Sequence, residues 1–150
     1  MTQDLIKLYQ RDLAKLVVEL EAYPNEASLW LVAPEIKNPA GNLALHLVGN
    51  LNQFIGVDLG GTDYKRDRDA EFKLKSVPRA ELIAMVKATM SMIETVLSGL
   101  DSLKLGQVFP KEVLGYPMST NYFLLHLYGH LSWHLGQINY HRRLTASSSD

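Results

Sequence analysis

Leu5, Leu8, Leu13, Leu16, Val17 and Leu20 recur at steps of three, four and five among Asp4, Lys7, Arg11, Asp12, Lys15 and Glu19. That period gathers the apolar side chains on one face and predicts an amphipathic helix over 3–22, closed by Pro24 and Asn25. Trp30–Pro39 carries two prolines and reads as irregular. A second helix is expected from Ala40 to about Val57, with Leu43, His46, Leu47, Asn50 and Phe54 on its inward face. The stretch 58–72 is dense in glycine and charge and predicts an ordered loop tied by ion pairs, with no helix across it. Pro78 suits the first turn of a third helix, whose stripe is Leu82, Met85, Val86, Thr89, Met92, Ile93 and Val96 and whose end is Gly99. Leu103–Pro117 reads as non-helical, a hairpin or an extended crossing around Val108-Phe109 and Val113-Leu114. Ser119 or Thr120 can cap a fourth helix over 121–144, where Arg142 and Arg143 suit its C-terminal dipole. The tail 145–150 is expected to fray. With no internal repeat and no low-complexity linker, residues 1–150 are expected to form one all-α domain, a four-helix bundle with long crossover connections.

Composition narrows the function classes. A chain of 150 residues can bury one sizeable core. Hydrophobic residues at 47% and charged residues at 21% are ordinary for a globular protein, and a formal charge of -1 offers no basic field for nucleic acid. Zero cysteines remove disulfides, cysteine-based zinc sites and a thiol nucleophile of the protein's own, so any metal must be held by His, Asp or Glu. The N-terminus lacks a basic region followed by an apolar run, and no stretch reaches about eighteen consecutive apolar residues. A soluble, cytoplasmic protein with no membrane partner is the expectation.

The chemistry concentrates in histidine. Four of the five histidines are His126, His130, His134 and His141. On a helix their spacings of four, four and seven place the rings within an arc of about 80°. Residues four apart can both reach one ion, so either His126 with His130 or His130 with His134 can form a metal-binding pair. His126 and His134 are about 12 Å apart along the axis, too far to share one. His141, two turns past His134, can line a pocket or lie at a solvated helix end. His46, on the second helix, can supply a third nitrogen. Three neutral imidazoles leave a dication an open position, and zinc or nickel suits nitrogen ligands.

These residues resemble a known family. Asn42-Leu-Ala-Leu-His46-Leu-Val-Gly-Asn50, with His126-Leu-Tyr-Gly-His130-Leu-Ser-Trp-His134-Leu-Gly-Gln-Ile138 far downstream, is similar to the DinB/YfiT-like superfamily of metal-dependent bundles, over nearly the whole chain. The loop Tyr64–Phe72 looks like that of an uncharacterised bacterial subgroup. The resemblance implies that His46, His130 and His134 are the metal ligands, with His126 a neighbour of the site, and it implies a homodimer. Characterised relatives include bacillithiol S-transferases and a mycothiol-dependent maleylpyruvate isomerase. The implied activity is thus metal-dependent transfer of a low-molecular-weight thiol cosubstrate to a small molecule, with hydrolysis second. The alternative is a non-catalytic metal-binding protein of stress response or interaction.

Several neighbours have a chemical and a packing reading. Arg66 and Arg68, with Asp67, Asp69 and Glu71, can form a lid that pairs with a substrate carboxylate, or a salt-bridged loop that packs Phe72 onto the bundle. The packing reading is favoured. Asn50, one turn after His46, can bond a ligand histidine or cap buried backbone, and Gln137, three residues after His134, can orient that ring. Tyr140 is a weaker acid candidate. Met85, Met90 and Met92 read as core filler, and Trp30 and Trp133 as packing or interface aromatics.

Overall fold

A computed structural model describes residues 1–146. Among these, the long helices are α1 (Thr2–Ala22), α2 (Ala40–Leu51), α4 (Arg79–Ser98) and α6 (Thr120–Ala146), and the short ones are α3 (Arg68–Lys73) and α5 (Ser102–Gly106). No strand is formed among the described residues beyond two isolated bridges, Ala33 with Ile36 and Val108 with Ser119. The architecture is an all-α four-helix bundle.

The apolar stripe of α1 buries Leu5, Leu13, Leu16, Val17 and Leu20, as its period predicts, and packs against α4 and α6. Tyr9 and Tyr23 join it in the core, their hydroxyls donating to the carbonyls of Leu124 and Ile138 on α6 at 2.7 and 3.0 Å. A buried phenol needs such an acceptor, so these bonds also tie α1, through Tyr9, and the residue just after it, Tyr23, to α6. From α4 the core takes Leu82, Val86, Ile93 and Leu97, while Met85, Met90 and Met92 pack at its edge as filler.

All twelve residues of α2 are buried. A helix surrounded on every side is apolar nearly all round, and the sequence AGNLALHLVGNL has that character without a charged residue. It is enclosed by α4, α6, α3 and a single 3-10 turn at Ala27–Trp30. Close approach depends on two glycines: Gly41 lies under the Trp30 ring, and Gly49 faces the Glu71 carboxylate. The second helix does not continue unchanged to Val57. From Asn52 it widens into a turn with bonds five residues apart, Asp58 N to Gln53 O and Gly60 N to Ile55 O, each 3.0 Å. Asn52 marks the change, donating to Val48 O at 2.8 Å and to Thr89 Oγ1 of α4 at 2.9 Å.

Three expectations are corrected. The stretch 58–72 does contain a helix, α3, because the Asp67 carboxylate accepts from Ala70 N at 3.0 Å and so caps it, with Asp69 and Glu71 in its first turn. The supposedly non-helical stretch from 103 begins with α5, capped the same way by Asp101, which accepts from Lys104 N at 2.7 Å. Beyond α5 the chain doubles back in a short hairpin, one of the two expected forms, with Val108 bridged antiparallel to Ser119, Phe109 N on Met118 O at 2.9 Å and Thr120 N on Gln107 O at 2.8 Å. Ser119 caps α6, its Oγ accepting from Tyr122 N. The helix runs past Leu144, since buried Thr145 bonds back to His141 O at 2.7 Å, and the rest of the expected frayed tail lies outside the described residues.

Candidate metal centre

Where α2 packs on α6, three imidazoles meet. His46 is buried, whereas His130 and His134 are half-buried and one turn apart on α6. His46 Nε2 and His134 Nε2 each lie 3.1 Å from His130 Nε2. The ring centroids are separated by 5.0 Å for His46 and His130, 4.5 Å for His130 and His134, and 5.3 Å for His46 and His134. One ligand nitrogen from each ring lies within 4.8 Å of the others. A metal bonded to nitrogens at about 2.1 Å would separate them by roughly 3.0–3.4 Å, depending on its angles. The observed spacing therefore fits three nitrogens of one coordination sphere.

The far side of each ring decides which nitrogen faces the centre. His46 Nδ1 lies 3.0 Å from Glu71 Oε1, and a carboxylate can only accept, so the proton sits on Nδ1 and the Nε2 lone pair turns inward. His134 Nδ1 lies 2.7 Å from Gln137 Oε1 with the same result. His130 Nδ1 is buried with no hydrogen-bond partner among the described residues. Burial pushes the His130 imidazolium down to about 4, helped by His134, His46, His126 and Arg66. Burial likewise lowers His134, against the bond to Gln137. Both rings are thus neutral at pH 7, the form that ligates metal.

Glu71 is the residue that sequence reasoning undervalued, as one acid within a lid or salt-bridged loop. Burial raises its carboxyl, but bonds from Arg66 and His46 outweigh this and hold it below the usual carboxylate range. Arg66 grips it with both arms, Nε to Oε2 at 2.8 Å and Nη2 to Oε1 at 2.9 Å. The only signals in the sequence were the Asp67 cap, which starts a helix pointing Glu71 inward, and Gly49, three residues after His46. A Cβ at Gly49 would collide with the Glu71 carboxylate, which a larger residue would have to displace from its place.

The remaining candidates separate clearly. Phe72 packs against the His46 ring at 5.0 Å, as the packing reading of the loop expects. Arg68 is exposed and lies over Phe72 at 5.4 Å. His126 is exposed and stacked on Phe123, and is not one of the three converging rings. Asn50 is buried, and its Oδ1 bonds neither ring. His141 is buried rather than at a solvated end: Nε2 faces Leu31 O at 2.7 Å and Nδ1 faces the Tyr23 hydroxyl at 2.7 Å. Beside His134 opens a cavity of about 420 Å³, bordered by Leu43, Gln137, Tyr140, His141 and the loop residues Glu35 and Lys37.

The chain matches no protein-family model, and no curated protein matches it in sequence. Among solved structures it is similar to a DinB-like protein from Bacillus cereus, with a TM-score of 0.73 at 17% identity over 96% of this chain and 92% of that one. It is also similar to a conserved protein from Enterococcus faecalis, with a TM-score of 0.76 at 17% identity over 98% of both chains. The chain therefore has the DinB-like fold. Within that fold it carries a three-histidine group able to hold a metal ion.

Proposed function

We propose that this protein is a metal-dependent enzyme acting on a small molecule, with one divalent transition ion, zinc or nickel, held by His46, His130 and His134. The observation that carries this reading is the convergence of the three Nε2 atoms, two of them turned inward by acceptors on Nδ1. Three neutral donors fix a dication while leaving it an open position. When bound, such an ion supplies Lewis acidity, which deprotonates a coordinated thiol and lowers the pKa of water.

The chain's own residues supply the rest. Gln137 holds His134 in the ligating tautomer, and the cavity beside it admits a small substrate past Glu35, Lys37 and Tyr140. Without cysteine the protein has no thiol of its own, so thiol chemistry requires a low-molecular-weight thiol cosubstrate. Transfer of that thiol to a small electrophile is the leading reaction, and hydrolysis the second. A homodimer is part of the proposal, supported by exposed apolar side chains on α1 and α6, among them Val18, Leu125 and Trp133.

Cobalt-loaded protein tests the reaction class. Addition of a small thiol should produce a thiolate-to-metal charge-transfer band, lost in His134→Ala. A spectrum unmoved by thiols would contradict thiol transfer and leave hydrolysis as the reaction to assay.

A further inference from the structure

The three rings of the cluster differ at their outer nitrogens: among the described residues His46 has a carboxylate partner, His134 an amide and His130 none. The carboxylate is also the most firmly held. Arg66 bonds both of its oxygens, and Oε1 serves Arg66 and His46 together. Its side chain is 6% exposed and that of Arg66 12%, so water competes little for either. The backbone carrying it is tied to α2 as well: Asn42 Nδ2 donates to Glu71 O at 2.9 Å and to Leu74 O at 2.8 Å. Asn42, His46 and Gly49 stand three and four residues apart, so one face of α2 meets this crossover at three successive turns. Phe72 packs against the His46 ring.

We propose that Glu71, locked by Arg66, is the positioning residue of the metal centre, fixing His46 as the Nδ1–H tautomer with Nε2 aimed at the ion. This rests on the three-histidine reading of the site. A carboxylate behind a ligand imidazole sets the ring's orientation and raises its basicity, and losing such a partner weakens metal binding by about 10–100-fold. The crossover between α2 and α4 is then part of the metal centre, and metal binding and the ordering of α3 favour each other.

The test measures zinc affinity, by competition with a chromophoric chelator, for the parent, Glu71→Gln and Asp69→Asn. Asp69 lies on the same short helix with its side chain 83% exposed, so its substitution changes the charge of α3 without touching the site. Imidazole nitrogen chemical shifts in the metal-free proteins report the His46 tautomer, which a merely structural role for Glu71 would not move. The expected result is a loss of about tenfold or more in Glu71→Gln, with a mixed His46 tautomer, and parental behaviour in Asp69→Asn. Parental affinity and tautomer in a folded Glu71→Gln would overturn the proposal while leaving the metal site intact. A parent that takes up no zinc would overturn the three-histidine reading and this proposal with it. Should Glu71→Gln fail to fold, Arg66→Lys decides the matter: it keeps the charge but not the two-armed grip, and should weaken zinc several-fold. Unchanged affinity in that variant would equally overturn the proposal.

Discussion

The two sides of the histidine cluster are built differently. On the α2 side, His46 is buried and held by an ionised pair, Glu71 with Arg66, brought in from a separate segment of the chain. On the α6 side, His130 and His134 are half-buried, and among the described residues the outer partner is the neutral Gln137 from the same helix. The ring on one side is buried behind an ion pair, while His134 on the other borders a cavity of about 420 Å³. On the proposed function the contrast would divide labour within the site: α2 would anchor the ion, and α6 would present it to substrate.

The largest effect should come from His130, whose Nε2 stands 3.1 Å from both other rings. His130→Ala should abolish stoichiometric metal uptake by metal analysis while preserving the helical circular dichroism. Next is Gly49→Ala, which sharpens the comparison from the buried side. The added methyl must displace the Glu71 carboxylate, so the protein should lose about 1–3 kcal/mol in urea unfolding, together with zinc affinity. Gln137→Ala is the matching change on the open side and should cost under about tenfold in zinc affinity, because a neutral amide is a weaker partner than a carboxylate. A loss as large as that of Glu71→Gln would break the comparison.

A pH effect distinguishes the two sides in the metal-free protein. His130 is held at about 4 in the fold against 6.5 ordinarily, so between these values the unfolded chain binds a proton that the folded protein does not. Stability must therefore rise with pH across that window and be lost as pH falls from about 6.5 towards 4. His134, also lowered, contributes with the same sign. The depressed carboxyls of Asp12, Glu19 and Glu71 act the same way, but only near and below the ordinary carboxylate range. Urea midpoints should fall between pH 7 and pH 5, and less steeply in His130→Asn.

Long helices were legible in the sequence because a period of 3.6 repeats often enough in α1 and α4 to be counted, and because α6 shows itself in the Ser119 or Thr120 cap, the histidine spacing and the arginines near its end. The short helices α3 and α5 offer five or six residues each, too few for a period, and rest on their caps Asp67 and Asp101 instead. The widened turn at 52–57 leaves no mark in apolar spacing. Spacing on α6 permitted two histidine pairs, and the family resemblance favoured His130 with His134. The fold brings that pair to His46 and leaves His126 outside. Glu71 was hidden among the charges of 63–71, since only tertiary contact with Gly49 and His46 distinguishes it from its exposed neighbours.

Elemental analysis of tag-free protein purified without added metal, beside its His134→Ala variant, tests the central claim most directly. The three-histidine site predicts about one equivalent of zinc, nickel or another transition metal per chain in the parent and little in the variant. A parent that is empty, and stays empty after dialysis against zinc and nickel, would contradict it.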